Sequence, residues 1–303
     1  MKLKDLFLNM DKKELYAFYE SIVPIPNMYE KVTRSDMYKE ILKAYFDDPE
    51  IIINLCTMEE LNILKSLIDE PLKKVGTGYI EYILFKNLES NYLVFSNDTE
   101  YYIPEDLVNY IKMAFNVWNE HEYSFIDIKD SVILGLLVIY NVLSIEEMLR
   151  VLEMYSINMS AKELKNYLLK PKLAQYITTI RYKKVEYVIS KEYEYYQDIL
   201  KNRVEIAKNY YSLESVISIG KYRINLFEPS LFEFLSFLEN HFEVEAIATI
   251  INNLIIAIGC NILTKDLIAK IANNIPELIE VIAKINVLFP CWIYNGNMLK
   301  SLS

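Results

Sequence analysis

Glycine, proline, histidine, tryptophan and cysteine are all scarce in this 303-residue chain. With 6 Gly and 9 Pro, long disordered linkers are excluded. Little Gly beside abundant Leu, Ile, Glu and Lys favours helices. The only histidines, His121 and His241, have no companion motif, so general-base chemistry has little to stand on. Cys56, Cys260 and Cys291 are odd in number, far apart and set among apolar residues. That spacing fits neither a disulfide framework nor a zinc knuckle, and reads as buried thiols in a reducing cytosol. No phosphate-cradling Gly-x-x-x-x-Gly-Lys loop and no Gly-x-Ser-x-Gly elbow occurs. Gly76-Thr77-Gly78 lacks the third glycine of a dinucleotide fingerprint. The N-terminus, Met1 to Asp5, has no long apolar core of a signal peptide. The expectation is a cytoplasmic protein with no cofactor, no metal and no catalytic residue. An enzyme of unknown class is the least supported alternative.

Charge and apolar content bound the rest. Apolar residues make up 52%, ample for buried cores, and the formal net charge is −10. An acidic chain repels nucleic acid as a whole, so only a local basic face would bind it. Ala246 to Leu263 is almost uncharged and about as long as a membrane span. Asn252, Asn253 and Asn261 interrupt it, so it reads as a fully buried helix and no membrane is expected. Tyrosine is abundant at 25. A tyrosine buries its ring and keeps its hydroxyl hydrated, which suits half-exposed helix faces. Stacking on bases is the sharper alternative.

A short signature recurs. Thr57-Met58-Glu59-Glu60-Leu61, Ser144-Ile145-Glu146-Glu147-Met148 and Ser160-Ala161-Lys162-Glu163-Leu164 all read Ser/Thr-x-x-Glu-apolar, with Asp11 to Leu15 a variant. This is the capping box, in which the first side chain binds the first-turn backbone and the Glu reaches back. The acid pairs Glu59-Glu60 and Glu146-Glu147 are therefore read as helix starts, not as acid–base pairs. The boxes at Thr57 and Ser144 precede hairpin turns, Asn97-Asp98 and Lys183-Lys184, at the same distance.

Four segments follow. Residues 1–56 read as an N-terminal helical module, with Asp11 and Ser35 as caps and Pro24, Pro26 and Asn27 between two helices. Residues 57–120 read as a first winged-helix-like module, with strands Tyr92–Phe95 and Glu100–Ile103 and a helix starting at Pro104. Residues 121–200 repeat the scheme: a helix closing at Asn141, capped helices at Ser144 and Ser160, and the hairpin Tyr176–Ile180 and Val185–Ile189. The helix from Ser160 occupies the recognition position of a helix-turn-helix. Residues 201–303 read as a C-terminal helical domain, in which Trp292 plugs the turn between Pro290 and Gly296 onto the last helices. The fold class is mainly α, with small β-hairpin wings.

One window carries a binding signal. Lys162, Lys165, Lys170, Lys172, Arg181, Lys183 and Lys184 face only Glu163 and Glu186 between Ser160 and Glu186. Lysine dominates over arginine, so phosphate attraction is better supported than base readout. A solvated helix face with a charged hairpin tip is the ordinary alternative. The second helix of the first module has Lys86 against Glu81 and an apolar face, which suits packing or a protein partner. The expected function is a non-enzymatic regulatory or adaptor-like binding protein, its partner a protein or a nucleic acid. A DNA-binding transcriptional regulator is the alternative.

Two resemblances accompany these residues. The first forty or so, helix, Pro-containing loop, helix, resemble SAP-type or Rho N-terminal helical modules, which implies contact with nucleic acid. Gly135 to Glu147 resembles the opening of a winged-helix module in uncharacterised proteins of low-GC Gram-positive bacteria. Asn286 to Gly296 resembles their Asn-x-x-x-x-x-Trp-x-x-x-Gly closing segment. Some of those proteins continue into a SEC-C-type zinc tail; this chain has none, and Asn141 stands where they have Gly. The resemblance implies tandem winged-helix-like modules and no transferable activity.

Overall fold

The computed structural model describes residues 2–74, 78–193 and 195–298; Gly76 and Thr77 of the expected turn lie outside these. The chain is mainly helical with small antiparallel sheets of two or three strands. It divides into two compact units. Unit 1 comprises Met1–Asp127 and Leu169–Gln175, unit 2 Ile128–Leu168 and Tyr176–Ser303. The expected segments 1–56 and 57–120 thus lie together in unit 1.

Unit 1 opens with α1 (Leu3–Asn9), α2 (Lys12–Ile22), α3 (Arg34–Asp47) and α4 (Glu50–Asn54). Asp11 caps α2 by accepting from the backbone N–H groups of Lys13 and Glu14. The cap of α3 is Thr33, not Ser35: Thr33 Oγ1 accepts from Asp36 N–H, and the Asp36 carboxylate accepts from Thr33 N–H. That reciprocal pair closes the box two residues early. Next come α5 (Met58–Leu67), β1 (Leu72–Lys73), α6 (Tyr79–Ser90), β2 (Phe95–Ser96), β3 (Glu100–Tyr102) and α7 (Val108–Val117). Pro104 does not start α7. Asp106, in the turn before it, turns its carboxylate to Leu3 N–H at 2.7 Å and so caps α1 from a distance. The strand expected at Tyr92 begins only at Phe95. Tyr92 instead takes a left-handed backbone, φ 55°, and its ring packs edge-on to Phe7 and Phe18. Leu93 N–H binds the Leu88 carbonyl at the end of α6. One continuous apolar core runs from Leu3 to Tyr123.

A long helix, α8 (Glu120–Tyr140), leads out of unit 1. Asn141 closes it at φ 60°, as its tolerance of that conformation implies. Unit 2 continues with β4 (Val142–Ser144), α9 (Ile145–Met154) and α10 (Ala161–Leu168). A short α11 (Pro171–Tyr176) precedes β5 (Ile177–Tyr182) and β6 (Val185–Ser190). Tyr176 is thus the last helical residue and not a strand residue. The boxes at Thr57, Ser144 and Ser160 all close as expected, with Glu60, Glu147 and Glu163 each accepting from the cap's backbone N–H. Each such cap contributes about 1 kcal/mol.

The two three-stranded sheets share one order, β1-β3-β2 and β4-β6-β5, all antiparallel. This corrects the alignment of the repeat. Thr57 starts the helix before the first strand of its sheet, whereas Ser144 starts the helix after the first strand of its own. The sheets match β1 with β4, and so α6 with the pair α9–α10.

Beyond β6 lie α12 (Tyr196–Asn202), α13 (Leu213–Tyr222), α14 (Pro229–Glu239), α15 (Val244–Gly259), α16 (Lys265–Ile271) and α17 (Pro276–Ile285). A 3-10 turn and the short ladder of β7 (Pro290–Cys291) and β8 (Asn297–Met298) complete the unit. The apolar segment from Ala246 lies in α15, but only one face is buried. Ile247, Ile250, Ile251, Leu254, Ile255 and Ile258 point inward; Thr249, Asn252 and Asn253 are exposed. Each inward aliphatic is worth about 2 kcal/mol taken out of water. No helix among the described residues is long and apolar enough to cross a membrane. Trp292 is fully buried, stands against Gly259 of α15, and donates from Nε1 to the Val138 carbonyl at 2.8 Å. It ties the C-terminal ladder to α8 as well as to the late helices.

Several tyrosine hydroxyls that the sequence placed on half-exposed faces are bonded within the fold. Tyr38 donates to Asp106, Tyr167 to Asp130, Tyr155 to the Tyr211 carbonyl and Tyr211 to the Gly296 carbonyl.

The β5–β6 hairpin turns on Lys183 and Lys184, at φ 45° and 70°. Two consecutive positive φ values make the tight turn that Asn-Gly favours, and a lysine there is strained. Replacing the pair by Asn-Gly is expected to raise stability by about 1 kcal/mol. Urea unfolding of both proteins checks this: the midpoint should rise at constant slope.

Candidate nucleic-acid interface

Leu164 and Leu168 anchor α10 in the core of unit 2, and Tyr167 bonds to Asp130 at 2.7 Å. The opposite face carries Lys162, Lys165 and Asn166, at the i, i+3, i+4 spacing of one helical stripe, all exposed. Lys165 reaches across to Glu186 of β6 at 2.5 Å, so helix and hairpin are joined through the charges. Arg181, Lys183 and Lys184 are exposed at the end of that hairpin. The Lys183 ammonium sits 5.3 Å from the centre of the Tyr182 ring. The acids in this patch are bonded. Glu163 closes the cap of α10, and the Ser160 backbone N–H and hydroxyl hold its carboxyl below the usual range.

The structure therefore brings together five of the seven expected cations: Lys162, Lys165, Arg181, Lys183 and Lys184. Lys170 and Lys172 belong to unit 1. Lys170 is half-buried. Lys172 is 5% exposed, and its ammonium donates to the Cys56 carbonyl at 3.0 Å and to Asp127 at 3.3 Å. Tyr123 donates to the same carbonyl. A lysine paired inside a core contacts no external phosphate, so Lys172 is a structural cation. The charge is plain in the sequence; its burial depends on Asp127, 45 positions earlier.

Other residues with catalytic character fall into structural places. His121 lies edge-on to Phe125, and His241 stacks on Phe237 and bonds its carbonyl through Nδ1; both are exposed. Asp47 pairs with Lys43, and Asp48 accepts from Glu50 N–H. Among the described residues no group of three His, Cys, Asp or Glu is placed to hold a metal ion. Burial pushes the Cys260 thiol up to about 11. Burial and the nearby Glu60 raise Cys56 well above the ordinary thiol range. Neither is an activated nucleophile.

The chain matches no protein-family model, and comparison with curated proteins and with solved structures returns no match. The functional argument rests on the site itself.

Proposed function

We propose that the chain is a non-enzymatic cytoplasmic binding protein in which unit 2 carries a winged-helix-like module that engages the phosphate backbone of nucleic acid. One observation carries the reading: five exposed cations lie on the outer stripe of α10 and on the tip of the β5–β6 hairpin. The element order α8, β4, α9, α10, β5, β6 with strand order β4-β6-β5 supports it, because, apart from the short α11 interposed between α10 and β5, it is the order of a winged helix. The shared order β1-β3-β2 supports a shorter module of the same kind in unit 1. Lysines give phosphate attraction more than sequence readout, which suits a backbone binder better than a site-specific transcriptional regulator.

The test is a binding assay on duplex DNA across a salt series. Wild type is expected to bind at low salt, with log K falling by about 0.9 per log unit of salt for each phosphate neutralised. Changing Lys183 and Lys184 both to Glu should flatten that slope by about 2 and weaken binding equally on unrelated sequences. A wild type that does not bind, or a variant that binds as well, rejects the proposal.

A protein partner is the second reading, favoured by a loop in unit 1. Ile25 is 88% and Met28 64% exposed between Pro24 and Tyr29. Tyr19 accepts from Asn27 N–H at 2.7 Å, and Tyr16 donates to the Asn27 carbonyl at 3.0 Å, so the loop is held while its apolar tip faces water. Partner capture that is lost on changing Ile25 and Met28 to Ser, and insensitive to nuclease, would favour this reading.

A further inference from the structure

Strand pairing sorts the β5–β6 hairpin into two faces, because residues directly opposite each other share one. Thr179, Arg181, Glu186 and Val188 lie on the face that Lys165 of α10 reaches. Thr178, Ile180, Tyr182, Val185, Tyr187 and Ile189 lie on the other. The base of this second face is covered, since Ile189 and its partner Val142 on β4 are buried. Toward the turn it opens: Val185 is 42% exposed, and Ile180, Tyr182 and Tyr187 are half-buried.

The surroundings of this open end select its partner. The exposed Lys183 ammonium stands 5.3 Å from the centre of the Tyr182 ring, so a face of that ring is reached from the solvent side. Arg181, Lys183 and Lys184 are exposed at the same end of the hairpin, in a chain whose net charge is −10. Glu186, the only acid on the two strands, is on the opposite face and bonded to Lys165. Tyr182 and Tyr187 are diagonal neighbours across the ladder, about 7–8 Å apart. Rings beside cations and away from carboxylates fit a polyanion whose flat groups are free to stack. Aromatic rings on a sheet stack two or three unpaired bases in this way in RNA-binding domains.

We propose that the open end of this face stacks unpaired bases on Tyr182 and Tyr187, so that the chain prefers single-stranded nucleic acid to duplex. The inference rests on the phosphate reading above: the tip cations hold the backbone, and the two rings take bases that a duplex keeps stacked on one another. Phosphate attraction alone predicts the reverse order, because the single strand has the lower charge density and releases fewer counterions for each phosphate neutralised. A preference for the single strand therefore reports the rings and not the lysines.

The probes are a mixed-sequence DNA single strand of about 20 nucleotides, its duplex, and an abasic strand of the same length, each titrated with the full chain by fluorescence anisotropy at one salt concentration. The single strand should bind at least about fivefold more tightly than either of the others, the lower end of what one stacked base contributes. Tyr182→Ala should cut the ratio of single-strand to duplex affinity by at least about fivefold, and Tyr182→Phe should keep it, because the ring remains. The ratio is taken within one protein. A variant with fewer folded molecules lowers both affinities and leaves it unchanged. An abasic strand that binds as well as the base-bearing one, or an unchanged ratio for Tyr182→Ala, overturns the inference. If the duplex binds and the single strand binds no more tightly, stacking falls and the phosphate reading stands. If only the single strand binds, stacking stands and duplex binding is rejected; if neither binds, both fall.

Discussion

Lys172→Ala should be among the most damaging single changes in unit 1, costing about 3–5 kcal/mol. The lysine is 5% exposed and holds Asp127 and the Cys56 carbonyl together. Removing it takes the cation away from a buried carboxylate and a donor away from the Cys56 carbonyl, which Tyr123 also serves. The loss should depend on pH. Glu60 is also buried, and burial raises its carboxyl above the usual range while Lys172 works against that rise. Without Lys172 the rise grows. A carboxyl whose folded pKa is raised binds its proton more tightly in the folded state. Folding is then favoured below the unfolded value and penalised as pH climbs through the folded one. The deficit should therefore be larger at about pH 7.5 than at about pH 5. Denaturant unfolding at both pH values checks this, and equal deficits would remove Glu60 from the account. Lys172→Met combined with Asp127→Leu should recover much of the loss, because a buried pair replaced by apolar groups is often neutral.

Lys172 also marks what the sequence could and could not disclose. The capping boxes at Thr57, Ser144 and Ser160 were legible because both partners lie within one turn. The β5–β6 hairpin and the left-handed closure at Asn141 were legible for the same local reason. Where two caps overlapped, at Thr33 and Ser35, propensity alone did not choose; the Asp36 carboxylate did. Matching the two sheets by their boxes gave a different alignment from the strand order, because a cap says where a helix starts and not whether a strand precedes it. Of the candidate interface, the charges and their spacing were readable, and five of seven share one patch. The two that do not sit beyond Leu168, where the chain passes back into unit 1. Trp292 shows the same limit: its acceptor, Val138, is 154 positions away. Nothing local marked how residues 203–211 are held, since the bonds from Asn295 to the Val204 and Ile206 carbonyls join residues about ninety positions apart.

Gly220→Ala and Gly135→Ala should each lower stability by about 3 kcal/mol, although helix propensity alone predicts a gain of about 1. Both glycines are in helices, Gly135 in α8 and Gly220 in α13, where glycine is ordinarily a cost. Their value lies in what they let approach. A Cβ at Gly135 would overlap the Val216 carbonyl oxygen, and one at Gly220 the Ser131 carbonyl oxygen. The obstructing atoms are backbone, so no side chain can swing aside, and the helices must separate. Separation would strip contacts from Val216 and Ile219, buried on α13 beside the crossing, and from Val132 and Leu136 on α8. The expected fall in Tm is about 6–12 °C for a unit of this size. Because the two glycines serve one crossing, helices already spread by the first alanine should accept the second more cheaply. The double variant should then cost less than the two singles added together. Thermal melts of the three variants decide the matter: a Tm at or above wild type for either single change would mean that the helices do not meet backbone to backbone.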